Sequence, residues 1–72
     1  MHQLQRKSLL TKREREIFEL LLKDYSTKEI AQHLNISDKT VRNHISNTIQ
    51  KLGVSSRTQA ILELLRLKQL IL

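Results

Sequence analysis

The side chains best suited to chemistry lie between Ser37 and Leu52, a stretch that offers hydrogen-bond donors and positive charge but almost no acid. Its polar members are cations, amides and hydroxyls: Lys39, Thr40, Arg42, Asn43, His44, Ser46, Asn47, Gln50 and Lys51. Asp38 is the single acid, at the first turn, where a helix dipole favours negative charge. Such a set fits an anion that also presents hydrogen-bonding edges, and duplex DNA is the commonest partner of that kind. The alternative is a solvent-exposed face that happens to lack Glu.

A helix over this stretch would gather the polar side chains on one surface. Its apolar residues fall on one narrow stripe at about 100° per residue, with Thr48 at the edge. The stripe consists of Val41, Ile45, Ile49 and Leu52. Ser37 can cap the first turn, and Gly53 is a natural helix stop. With the stripe facing a core, the opposite line, which passes through Asn43, would point outward.

This outward line predicts which side chains would contact bases. A recognition helix presents its N-terminal half to the base edges and lets its later turns leave the groove, which disfavours Gln50 and Lys51. By donor geometry, Asn suits adenine, and Arg or Lys suits guanine. The predicted base-reading residues are Lys39, Arg42, Asn43, Ser46 and Asn47.

The composition of the whole chain narrows the class of partner. Its 72 residues suffice for one small domain, and 13 Lys and Arg against 7 Asp and Glu give a net charge of +6. This excess indicates a polyanion, either DNA, RNA or an acidic membrane surface. The only aromatic residues, Phe18 and Tyr25, are too few for a base-stacking platform on single strands. No apolar run is long enough for a membrane span or a signal peptide.

The residues needed for catalysis or metal binding are largely missing from the sequence. There is no Cys, so neither a disulfide framework nor a thiolate metal site can form. His2, His33 and His44 are scattered, and no acid lies near His44 and Ser46 to orient them. We therefore expect no enzyme, no metal site and no cofactor.

The chain predicts an all-α domain of four helices, because it has one Gly, no Pro and few β-branched residues outside helical spacing. Three capping-box spacings begin at Thr11, Ser26 and Ser56. The expected helices cover about 12–23, 27–34, 38–52 and 57–68. The second helix, the turn Asn35–Ser37 and the third helix have the spacing of a DNA-binding helix-turn-helix.

Residues 1–10 carry Arg6 and Lys7 but no acid, and they show no periodicity. We expect a flexible basic arm there, followed by one domain over residues 11–72. Glu14 falls within the apolar arc of the first helix, where a lone carboxylate would cost several kcal/mol. Two interpretations stay open: Glu14 is satisfied by its own capping box, or it pairs with Arg57 or Lys51.

The last predicted helix has more apolar surface than a monomer core requires. Apolar residues cover more than half of its circumference, whereas a stripe of about 100° would suffice. Either some leucines are simply exposed, or the helix packs on a second copy of the chain. We favour a dimer seam that contains Leu62, Leu65 and Gln69.

Several motifs resemble the LuxR-type helix-turn-helix domain, in the order and at the spacing of that family. They are LTKREREIFELL at Leu10 to Leu21, TKEIAQHLNIS at Thr27 to Ser37, KTVRNHISNTIQKLGV at Lys39 to Val54, and SRTQA at Ser56 to Ala60. The resemblance covers about Leu10 to Leu67 and is strongest to small sporulation regulators that consist of this domain alone. One departure is Asp24, where many members have Gly. Either the chain is a complete stand-alone regulator or it is an excised domain.

The resemblance implies a four-helix fold, a third helix in the major groove, dimerisation through the fourth helix and a bacterial transcription factor. Family positions that match Arg42, Asn43 and Ser46 are the usual base readers. Around the third helix we expect cations and hydroxyls to contact DNA phosphates. These residues are Thr27, Lys28, Thr40, His44, Lys51 and Arg57.

The leading hypothesis is a sequence-specific regulator of transcription that binds double-stranded DNA as a homodimer in the cytoplasm, associated with the nucleoid. The alternative is a basic helical protein-interaction module that docks on an acidic partner such as RNA polymerase. The two are not exclusive. An interaction module would need exposed apolar anchors on the third helix, and the sequence has none outside the stripe that contains Val41.

Overall fold

Four α-helices make up the computed structural model, which describes residues 8–72. They are α1 (Lys12–Leu22), α2 (Thr27–Leu34), α3 (Asp38–Leu52) and α4 (Arg57–Arg66). Within residues 8–72 there is no strand, and the predicted all-α, four-helix domain is confirmed. None of the four helices is long and apolar enough to cross a membrane.

Each helix begins at a hydroxyl side chain that accepts a hydrogen bond from a backbone N–H in the first turn. The capping residues are Thr11, Ser26, Ser37 and Ser56. In α1 and α2 the box is complete, because Glu14 and Glu29 accept from the capping residue's own N–H. In α4 the expected box is displaced, since the side chain of Gln59 accepts from Ser55 rather than from Ser56.

Each helix also ends at a left-handed residue. These residues are Asp24, Asn35, Gly53 and Lys68, with φ between 58° and 70°. At α4, the N–H of Gln69 bonds the carbonyl of Leu64 at 2.8 Å, and the N–H of Lys68 bonds Leu65 at 3.1 Å. This pair of bonds is the Schellman motif, and it terminates α4 at Arg66 instead of at residue 68 as predicted. The end of α1 differs by one residue from its prediction.

The core lies where α3 packs against the three other helices. Ile17, Phe18, Ile30, Val41 and Leu64 are fully buried there. The small side chain of Ala31 is buried on α2, which lets α2 and α3 approach closely across the helix-turn-helix. The core therefore holds α3 by one face and leaves the opposite face free.

Both ends of the described chain contribute to this core. Leu10 and Leu70 are 6% and 3% exposed, respectively. The domain therefore begins before Thr11. Residues 8–10 pack on the domain, although they were predicted to belong to a flexible arm. Their place is fixed by burial of Leu10 and by the hydrogen bonds of Leu9. The remainder of the predicted arm, with Arg6 and Lys7, lies outside the described residues.

Candidate nucleic-acid interface

The turn before α3 fixes the start of the candidate recognition helix. Asn35 adopts the left-handed conformation, and the N–H of Ile36 bonds the carbonyl of Ala31 at 3.0 Å. Ser37 then caps α3 by accepting from the N–H of Thr40 at 3.0 Å, and its own hydroxyl donates to that of Thr40 at 2.9 Å. The turn is closed by local hydrogen bonds, as a short rigid connection requires.

The inner face of α3 is defined by three buried residues, Val41, Ile45 and Thr48. Thr48 was predicted at the edge of the apolar stripe, yet it is fully buried, while Ile49 is only partly buried. Its hydroxyl donates to the carbonyl of His44, one turn earlier, at 2.9 Å. Because the backbone satisfies this hydroxyl, Thr48 packs in the core as a small branched side chain would.

The outer face of α3 carries all five predicted base-reading residues, and every one is exposed. They are Lys39, Arg42, Asn43, Ser46 and Asn47. Burial of Thr48 in place of Ile49 rotates the buried stripe of α3 only slightly, so Asn43 still lies opposite to it. Arg42 lies 3.8 Å from Asp38, one turn before it, and their side chains are 58% and 42% exposed, respectively. Such a surface pair is weak, so DNA can compete for the guanidinium.

The predicted phosphate-contacting residues fall into two groups. Lys28 and Arg57 are exposed, at the beginnings of α2 and α4. Thr27, Thr40 and His44 are half-buried. Thr40 and His44 lie on α3 itself, whereas the other three lie in the first turns of α2 and α4.

Lys51 has a different environment from the one predicted for it. Its Nζ donates to Oε1 of Glu14 at 2.6 Å and to the carbonyl of Leu9 at 2.9 Å. The ammonium is thus held against α1 and the preceding segment by a buried carboxylate. The phosphate contact of Lys51 stays a prediction, since the ammonium is engaged by Glu14 while the side chain is 38% exposed.

Both interpretations that the sequence left open for Glu14 are found in the structure. Its Oε1 accepts from the N–H of Thr11 at 2.9 Å and from Lys51, so both the capping box and the ion pair form. Arg57 is not its partner. Burial raises the pKa of Glu14, but the hydrogen bonds from Lys51 and Thr11 outweigh that effect and bring the pKa below its ordinary value.

The three predicted seam residues differ in exposure. Leu62 is 59% exposed and Leu65 is half-buried, so both are available on the surface of α4. Gln69 is only 7% exposed, and its Oε1 accepts from the N–H of Leu9 at 3.2 Å. We correct the assignment of Gln69, since its side chain bonds the start of its own chain and cannot line an exposed seam.

A second set of polar contacts escaped the sequence analysis. Arg15 donates to the backbone carbonyl of Gln69 and, at 2.7 Å, to the hydroxyl of Ser8. These partners lie 54 and 7 residues from Arg15. No local spacing rule connects them, so the sequence had no signal for the contact. Among the residues that the structure describes, no three His, Asp or Glu side chains are grouped to hold a metal ion.

Comparison with known proteins identifies the family to which this architecture belongs. A family model described as "Bacterial regulatory proteins, luxR family" matches residues 8–64. Spore germination protein GerE of Bacillus subtilis (strain 168) is 66% identical over 68 residues, which cover 94% of this chain and 92% of that protein. Transcriptional regulatory protein DegU of Brevibacillus brevis is 49% identical over 55 residues, 76% of this chain but 23% of DegU.

Solved structures give the same result for the fold. The structure of the transcription factor GerE superposes with a TM-score of 0.88 and 75% identity, covering 90% of this chain and 97% of that one. The response regulator ChrA, from a heme-sensing two-component system, superposes with a TM-score of 0.80 and 34% identity, covering 93% of this chain and 33% of ChrA. The chain therefore belongs to the luxR family of bacterial regulatory proteins, and it is a DNA-binding transcription regulator, not an enzyme.

Proposed function

We propose that this regulator recognises its operator by inserting α3 into the major groove, with Asn43 at the centre of the contact. The supporting observation is the contrast between the two faces of α3. One face is buried at Val41, Ile45 and Thr48, and the other exposes cations, amides and hydroxyls. A helix held by one face and polar on the other suits the pattern of donors and acceptors in the major groove.

The base-reading residues of this proposal all lie on the exposed face of α3. They are Lys39, Arg42, Asn43, Ser46 and Asn47. Phosphates on either side would be bound by side chains of α2, α3 and α4. These are Thr27, Lys28, Thr40, His44 and Arg57. The phosphate contacts would set the register on the duplex, and the base contacts would supply sequence preference.

We further propose that two copies bind one operator through α4, with Leu62 and Leu65 in the seam. Exposed Leu62 and half-buried Leu65 on this helix support the proposal, because a large apolar side chain at 59% exposure, that of Leu62, gains from a partner surface. A two-fold dimer would place two recognition helices about 34 Å apart on an imperfect palindrome.

The biological setting is proposed from the relatives. GerE is described as a spore germination protein, which supports a role for this chain in the sporulation programme of a bacterium. A DNA-binding regulator acts where the chromosome lies, so we place it in the cytoplasm, associated with the nucleoid. The alternative of an interaction module that docks on RNA polymerase through α3 gains no support, because the exposed large apolar residues of the described chain all lie outside α3.

The decisive experiment compares Asn43→Ala with Gln50→Ala. Duplexes would first be selected from a random library with the wild-type protein, and the affinity of each variant would then be measured on the selected operator and on random DNA. Asn43→Ala should cost about 1–3 kcal/mol on the operator and little on random DNA, because one bidentate base contact is lost. Gln50→Ala, an exposed amide in a later turn, should do much less.

Equal weakening of Asn43→Ala on operator and random DNA would contradict the proposed rotation of α3. The same result for Gln50→Ala as for Asn43→Ala would also count against it, because it would move the contact toward the end of the helix.

A further inference from the structure

The last turn of α3 is tied to the start of the domain through one ammonium group. Nζ of Lys51 bonds Oε1 of Glu14 at 2.6 Å and the carbonyl of Leu9 at 2.9 Å. The Glu14 side chain is only 7% exposed, and its position is fixed by the N–H of Thr11. The anchor on α1 is therefore rigid, and the partner that it holds belongs to the recognition helix.

This tie acts where the apolar packing of α3 is weaker. Val41, Ile45 and Thr48 are buried, whereas Ile49 and Leu52, nearer to the end of α3, are only partly buried. The last turn of α3 is therefore packed less deeply than the turns before it. The ion pair between Lys51 and Glu14 adds a directional contact to the apolar ones at this end of the helix.

We propose that Lys51 is a positioning residue for DNA recognition, and that its bonds to Glu14 and Leu9 fix the orientation in which α3 presents its outer face to the bases. The inference rests on the proposed insertion of α3 into the major groove. Bidentate base contacts tolerate errors of only about 0.5 Å and 10–20°. A misplaced helix therefore loses sequence-specific contacts, while its attraction to the phosphates changes little.

Because Glu14 is buried, changing it distinguishes two roles of Lys51: orienting α3 and contacting a phosphate. The carboxylate is buried beneath the ion pair and touches no DNA in any docking by the outer face of α3. If Lys51 orients α3, removing the charge of Glu14 must weaken operator binding. If Lys51 instead contacts a phosphate, removing that charge frees the ammonium and must leave binding unchanged or strengthen it.

The experiment uses the full chain and five variants. Lys51→Met and Glu14→Gln remove one partner each, a double variant removes both, and Lys51→Arg keeps a charged donor. Lys28→Met is the matched control, because Lys28 is an exposed lysine proposed to contact a phosphate. Dissociation constants would be measured on the selected operator and on random duplex over a series of salt concentrations. All measurements would be made at a temperature at which thermal unfolding shows every variant to be folded.

We expect Lys51→Met and Glu14→Gln each to weaken operator binding by about five- to tenfold, and random-duplex binding by less than about twofold. The salt slope of log Kd should stay unchanged in both. The double variant should bind the operator no less tightly than the single variant with the lower affinity, since both changes break the same contact. Lys51→Arg should restore most of the affinity. Lys28→Met should weaken both duplexes alike and reduce the slope by about one.

Three results would overturn the proposal. One is a salt slope that falls by about one in Lys51→Met, as it should in Lys28→Met. Another is stronger operator binding by Glu14→Gln. The third is wild-type affinity in folded Lys51→Met, which would make the pair a contributor to stability alone. Failure of the proposed docking is a separate result, because it would appear in Asn43→Ala while leaving the comparison of Lys51 with Glu14 intact.

Discussion

At the scale of single residues, the polar side chains near α3 divide into those that are free and those that are engaged within the chain. Asn43 and Lys39 are exposed, whereas Lys51 is engaged by Glu14. Glu14 is the buried member of this set, and it remains charged because two donors face one of its oxygens. A carboxylate that lost its cation here would destabilise the fold, but by less than at a fully enclosed pair, because Lys51 is 38% exposed.

The lowered pKa of Glu14 predicts how stability depends on acidity. A carboxyl with a pKa lowered in the folded state contributes stability above its ordinary value of 4.5, and this contribution is lost as the pH falls through the folded value. The free energy of unfolding of the wild type should therefore decrease with acidification below about pH 4.5 more steeply than that of Glu14→Gln. Urea unfolding at a series of pH values measures both dependences.

Glu19→Gln is the matched control for this measurement, because Glu19 is an exposed carboxylate on the same helix. It removes one negative charge without touching the pair of Glu14 and Lys51. If Glu14→Gln kept the full wild-type dependence on pH, the ion pair would not be the source of the acid sensitivity.

At the scale of secondary-structure elements, a residue in the left-handed conformation ends each of the four helices, but its amino-acid type varies. Gly53 has no Cβ, and Asn35 and Asp24 carry short polar side chains that tolerate the left-handed conformation, whereas the side chain of Lys68 has no such adaptation. Asp24 lies at the left-handed end of α1, with φ 69°. The strain imposed by a side chain is consequently greatest at Lys68.

We predict that Lys68→Gly stabilises the domain by about 0.5–1 kcal/mol, because the relief of left-handed strain exceeds the added flexibility of glycine in the unfolded chain. Asp24→Gly should give a smaller gain, since Asp tolerates this conformation better than Lys does. Denaturant unfolding at neutral pH would measure both changes.

Gly53→Ala is the reverse control. A Cβ at Gly53 would meet nothing within 4 Å, so its cost reports backbone strain alone, and we expect a loss of about 1 kcal/mol. A Lys68→Gly variant that is less stable than the wild type would show that the entropy term dominates at this site.

Local patterns predicted the helix starts and the rotation of α3 well, because hydroxyl caps and apolar periodicity act within one or two turns. Contacts between distant parts of the chain were less accessible. Two partners were weighed for Glu14, and only packing decided in favour of Lys51, 37 residues away. The end of α4 was predicted too late, since nothing in the residue type of Lys68 signals a positive φ. Gln69 is bonded by the N–H of Leu9, 60 residues earlier, and no local pattern predicts that contact.

At the scale of the whole molecule, the polar outer face of α3 and the exposed apolar residues lie on different elements. The net charge of +6 favours DNA, and the polar face that would bind it belongs to α3. The exposed leucine of α4 and the final residues Ile71 and Leu72, 84% and 92% exposed, form no part of that face. A chain can therefore bind DNA and pack on a second copy at the same time, as the proposed dimer requires.

The proposed dimer leads to a prediction about Leu62, the more exposed of its two seam residues. Leu62→Arg should leave a folded monomer, because the side chain is 59% exposed and makes little contact with its own core. Affinity for a full palindromic operator should fall by at least about tenfold, since the second half-site would no longer be bound by a linked copy, whereas affinity for an isolated half-site should change little.

Leu9→Arg, which introduces the same charge at another exposed leucine, is the control and should keep the dimer. Sedimentation equilibrium with and without operator measures assembly, and thermal unfolding verifies that each variant is folded. A wild-type protein that stays monomeric on a full operator, or a Leu62→Arg variant that still dimerises, would place the seam elsewhere.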